Sequence, residues 1–127
     1  MGLAIAVSLV LFVIARVRDK RFEEEFQATI ERHLGTGPVD VATVVSAREA
    51  AEGFVEERGE AHGHGHGRLT TRLVRRDLPG GAVSHFLVLD AHAGGLHAGF
   101  ERDLGQLDAA AVDSFARANI REYHVHR

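Results

Sequence analysis

The chain of 127 residues has no cysteine and no tryptophan, one tyrosine and only two prolines. Without cysteine there can be no disulfide scaffold, thiolate zinc site, iron–sulfur cluster or cysteine nucleophile. One tyrosine and no tryptophan leave little surface on which single-stranded nucleic acid could stack. Basic charge is not in excess either. Fifteen Lys and Arg against 18 Asp and Glu give a formal net charge of −3 with neutral histidine, whereas counterion release needs a clustered cationic surplus. Nucleic acid is therefore not an expected partner. Motifs that announce common chemistry are also missing: no phosphate-cradling glycine loop of the required spacing, no nucleophile elbow, no zincin pair. The hydroxyls of Ser8, Ser46, Ser84 and Ser114 all fall in expected structural elements. A non-catalytic role is expected.

Charge is absent from one long stretch as well. Gly2 to Ala15 carry none, and Arg16, Arg18, Lys20 and Arg21 follow with only Asp19 among them. A secretory signal has its basic residues ahead of the apolar run, the reverse of this order. A helix apolar on every face needs lipid or a large protein to hide it, and so short a chain offers too little body. Residues 1–17 are therefore expected to form a membrane-anchor helix, and residues 18–37 a juxtamembrane stalk helix. The anchor is short: Leu3 to Val17 spans roughly 22 Å at ~1.5 Å per residue, against a hydrocarbon core of ~30 Å. Snorkelling of Arg16 and Arg18 and local bilayer thinning would make up the difference. The positive-inside rule places the N-terminus outside and the remainder in the cytoplasm, with the basic flank drawn to anionic lipid.

Residues 38–127 suffice for one small domain. Ahead of them, Phe22, Phe26, Ile30 and Leu34 recur every four residues as a helical stripe, which Gly35 ends. Val39 to Val45 are rich in β-branched residues and predict a strand. Ser46-Ala47-Arg48-Glu49 has the spacing of a capping box, predicting a helix from there to about Gly59. A competing reading folds 40–58 into two steeply crossing helices, as a winged-helix nucleic-acid binder requires.

Arg68–Leu78, Val83–His92 and Leu96–Leu104 alternate like half-buried strands. The Gly94-Gly95 turn pairs Ala91 with Ala98, Leu89 with Phe100 and His92 with His97. A three-residue loop at Pro79-Gly80-Gly81 pairs Leu73 with Leu87 and Leu69 with Ala91, putting the apolar side chains on one face. Asp108 is expected to cap a last helix whose buried stripe is Val112, Phe115, Ala116, Ile120 and Tyr123. The fold class expected is α+β: an N-terminal anchor helix, then a mostly antiparallel sheet of one strand plus a three-stranded meander, covered by helices.

Histidine carries the candidate chemistry. His62, His64 and His66 alternate with glycine, and His92 and His97 should be cross-strand neighbours. Neutral imidazoles so placed suit zinc, nickel or copper, although a glycine-rich loop fixes no ligand and reads equally as a polar connector. His85 alternates onto the apolar face, as a hydrogen-bonded core histidine would. Arg68, Arg72, Arg75 and Arg76 should give the first meander strand a basic edge. The leading expectation is a membrane-anchored cytoplasmic interaction or accessory domain, touching lipid and a membrane or cytoplasmic protein, with homo-oligomers left open and no cofactor required. A His-rich metal-binding protein and a winged-helix domain are the alternatives.

Overall fold

The computed structural model describes residues 20–61 and 67–125. Residues 20–34 are helical (α1). There follow α2 (Val41–Ala61), β1 (Arg68–Asp77), a single 3-10 turn at Pro79–Gly81, β2 (Val83–Ala93), β3 (Leu96–Gly105), α3 (Ala109–Arg117) and β4 (Glu122–Val125). The strands form one mixed sheet in the order β3-β2-β1-β4, with β4 parallel to β1.

The meander pairs in the register its sequence implies. Leu73 faces Leu87, Leu89 faces Phe100, Ala91 faces Ala98 and His92 faces His97. Gly94 and Gly95 both take positive φ (57° and 80°), which a two-residue hairpin turn of the right twist demands. Odd-numbered residues of β1 and β2 then share one face, and the helices lie on it. Leu73, Leu87, Leu89 and Ala91 join Phe26, Ile30, Val44, Val55 and Phe115 in a single core cluster.

Three expectations are corrected. First, 39–45 form no strand. Asp40 accepts hydrogen bonds from the Thr43 N–H (2.8 Å) and hydroxyl (2.6 Å), capping a helix that runs unbroken to Ala61. Val44, Ala47, Ala51 and Val55 bury one helical stripe; burial on that stripe outweighs the weak β preference of valine. Ser46 is exposed inside this helix and caps nothing, and the pair of crossing helices needed for a winged helix is not formed.

Second, the last helix stops early. Asn119 sits at φ 63°, and the Ile120 N–H bonds back to the Phe115 carbonyl (2.9 Å), a left-handed stop of the kind asparagine tolerates. Ile120 plugs the core, but Tyr123 lies on the added strand β4, 50% exposed. The sheet is consequently four-stranded and mixed, and β1 is an interior strand.

Third, no helix among the described residues is long and apolar enough to cross a membrane. The expected anchor, residues 1–17, lies outside the described residues, as do Arg16 and Arg18; Lys20 and Arg21 are exposed on α1. A single-pass protein with an external N-terminus is therefore not supported. What is supported, among the described residues, is a small α+β domain of three helices and a four-stranded mixed sheet. The stripe Phe22, Phe26, Ile30 and Leu34, expected on a stalk, is buried in the domain's core. Gln27 Nε2 donates to the Gly99 carbonyl (2.9 Å) and Arg102 to the Gly35 carbonyl (3.2 Å), so α1 lies along β3. Phe54 of α2 stacks on Phe22, ring centroids 5.4 Å apart.

Candidate functional site

Even-numbered residues of β1 and β2 point away from the helices. On this face, left uncovered by the described elements, Arg72 Nη2 donates to Asp90 (2.9 Å), and Arg76 donates to both carboxylate oxygens of Glu101 (2.8 and 3.2 Å). The Arg76 guanidinium also lies over the Phe86 ring, 4.4 Å from its centroid. These diagonal bridges roof Val74 and Val88, which are buried although they lie outside the core cluster. The bond from Arg76 holds the Glu101 carboxyl below its ordinary range and raises Arg76 in turn. Asp90 and Glu101 each serve a different arginine.

One corner of this face is apolar. Leu78, Tyr123 and Val125 are the exposed large apolar side chains among the described residues. Val125 pairs with Arg76, and Leu78 and Val125 line a common hollow of about 700 Å3 with Pro79, Arg76 and Asp77.

At the opposite end of the same face stand the paired histidines. Their ring centroids are 4.6 Å apart, tilted by 35°, and His97 Nε2 lies 3.9 Å from the Asp90 carboxylate. Among the described residues no three His, Asp or Glu groups are placed to hold a metal ion. His62, His64 and His66 lie outside the described residues. Gly67, the next described residue, is pressed between α2 and β2: a β-carbon there would stand 2.8 Å from the Val55 carbonyl oxygen and 3.1 Å from that of His92.

His85 is the core histidine its alternation implied. It is 4% exposed, its Nδ1 accepts from the Leu107 N–H (3.1 Å), and its Nε2 lies 2.7 Å from Glu122. The Leu107 donor fixes the tautomer: Nε2 carries the hydrogen and gives it to Glu122. Both ring nitrogens are thereby engaged, and the histidine ties β2 to β4 and to the loop before α3. It floors a cleft of about 460 Å3 between α3 and the sheet, walled by Val83, Leu107 and Val112. Arg75, expected on a basic edge with Arg72 and Arg76, instead lines this cleft on the helix-covered side.

Comparison with protein-family models, with curated proteins and with solved structures finds no match to this chain.

Proposed function

We propose that this is a non-catalytic interaction domain that holds a protein partner on the uncovered face of its sheet, anchored at the Leu78–Tyr123–Val125 corner. One observation carries the reading: Leu78 and Val125 line one hollow at the border of the arginine-bearing face, and Tyr123, the other exposed large apolar side chain among the described residues, stands on the same short strand as Val125. Tyrosine and arginine around an apolar centre are the composition of energetically dominant interface patches. A charged sheet face with one greasy corner suits a partner that inserts an apolar side chain and exchanges ion pairs around it. The geometry of His85, with neither nitrogen available to a substrate, favours binding over catalysis.

The test is photo-crosslinking in the protein's own cells, using the full chain. A crosslinking residue at Tyr123 or Val125 should give a discrete protein adduct, while the same residue at Glu52, exposed on α2, should not. Leu78→Asp should weaken the adduct. No adduct from the corner, or the same adduct from Glu52, overturns the proposal.

A further inference from the structure

The half-buried arginines share a pattern with one exception. Arg48 bonds the Ala118 carbonyl, Arg58 bonds Glu25, Arg72 bonds Asp90, Arg76 bonds Glu101 and Arg102 bonds the Gly35 carbonyl. Arg75 is equally half-buried but has no ion pair or hydrogen bond among the described residues, and its Nε is buried without a partner. Arg72 Nε shares that deficit, yet the Arg72 guanidinium already holds Asp90. Arg75 therefore lines the helix-side cleft as a guanidinium that forms no ion pair among the described residues.

The other charges there are already engaged. Glu122 accepts from His85, and Asp113 accepts from Arg117 Nη2 (2.6 Å) on α3. Two carboxylates beside one guanidinium leave the cleft unfavourable to a dianion such as phosphate, but open to a single negative charge held directly by Arg75. Arg75 Nε is buried, so the two Nη groups are the donors left to the cleft, and their paired N–H groups form a planar fork that matches the two oxygens of a carboxylate. Val83, Leu107 and Val112 offer apolar walls, and the Gln106 side chain adds a polar group at the rim. A volume of about 460 Å3 falls within the range of small-molecule sites, ~300–1,000 Å3. The floor is held in place by the two hydrogen bonds of His85.

We propose that this cleft binds a small monocarboxylate with an apolar body, the carboxylate gripped by Arg75 and the body covered by Val83, Leu107 and Val112. The surface proposed for a protein partner lies on the other side of the sheet, so the two sites stand or fall separately.

Titration of the isotope-labelled full chain, followed by two-dimensional NMR, tests this with benzoate and hexanoate as ligands and benzamide and inorganic phosphate as controls. Both carboxylates should shift the backbone signals of Leu107 and Val112 and the Arg75 Nε–H signal saturably. Benzamide should bind at least about tenfold more weakly, the loss expected when a charge-assisted pair is absent, and phosphate should also bind more weakly, because the cleft's carboxylates oppose its second charge and it has no apolar body for the walls to cover. Arg75→Gln should cost a similar factor, Arg75→Lys should also weaken binding because the fork is lost, and Arg32→Gln, at an exposed position on α1, should change nothing. The dispersion of each variant's own spectrum reports whether it is folded. Should a variant fail to fold, the benzoate–benzamide contrast on the unaltered chain decides alone. Absence of saturable shifts at the cleft, equal affinity for benzamide, tighter binding of phosphate, or a folded Arg75→Gln chain that binds unchanged would each overturn the proposal.

Discussion

Replacing His85 by leucine removes two nitrogens and nearly preserves volume. The Leu107 N–H then loses its acceptor, and the Glu122 carboxylate faces an isobutyl group. A neutral hydrogen bond contributes ~0.5–1.5 kcal/mol net and one to a charged group ~1.5–3 kcal/mol. The Glu122 side chain is 30% exposed, so part of the second loss is recovered by water, and leucine adds some apolar burial. The net cost should be about 2 kcal/mol, a large share of a domain stability of ~5–15 kcal/mol. Urea unfolding should show a lower midpoint at unchanged slope. Hydrogen exchange should localise the damage, with the β4 amides losing more protection than those of the β2–β3 hairpin. Glu122→Gln keeps an acceptor for Nε2–H and should cost less than the leucine variant. A loss below about 0.5 kcal/mol, within the range of surface substitutions, together with unchanged exchange in β4, would refute the assignment of His85 as the tie between β2, β4 and the loop before α3.

Other outcomes are expected along the chain. Asp40→Ala should lower the urea midpoint by removing the cap of α2, whereas Ser46→Ala, in the middle of an exposed helical face, should leave it unchanged or slightly raised. Gly67→Ala should cost about 1–3 kcal/mol through overpacking, because its β-carbon meets two carbonyl oxygens that belong to fixed elements; calorimetric melting would measure this. Glu101 binds its proton less readily folded than unfolded, so the stability it contributes is complete above its ordinary value of 4.5 and is lost as pH falls below that value. The stability difference between the unaltered chain and Glu101→Gln, followed by urea titration, should accordingly shrink on acidification through that region.

The parts of the fold that local chemistry dictates were legible in the sequence. Gly94-Gly95 fixes a turn, period-two alternation fixes the faces, and the two together place His92 against His97 and His85 in the core. Valines at 39, 41, 44 and 45 misled because their β preference is weak and yields to a buried stripe on a helix. The Asp40-x-x-Thr43 spacing was the available signal for that helix, and Asn119 the one for the end of α3. Strand β4 carried little local signal: four residues, all exposed, whose pairing exists only once Leu73–Arg76 are in place. The bridges of the uncovered face were hidden for a geometrical reason. Arg72 and Arg76 stand directly opposite Val88 and Ser84 and reach their acids diagonally. The solitary state of Arg75 could not be read at all, since it depends on where every neighbouring carboxylate ends up.

β4 lies alongside β1 only from Leu73 to Arg76, although β1 begins at Arg68. The Leu73 N–H points towards β4, donating to the Arg121 carbonyl (3.0 Å), so the amides and carbonyls of Leu69 and Thr71 point the same way with no strand beside them among the described residues. That flank invites company. While the molecule folds, the hairpins can zip locally, but β1 must wait for a segment far along the chain to return, and an extended piece of a neighbouring molecule can dock there first. Refolding yield should therefore depend on how crowded the solution is, with exchanged dimers as the characteristic by-product.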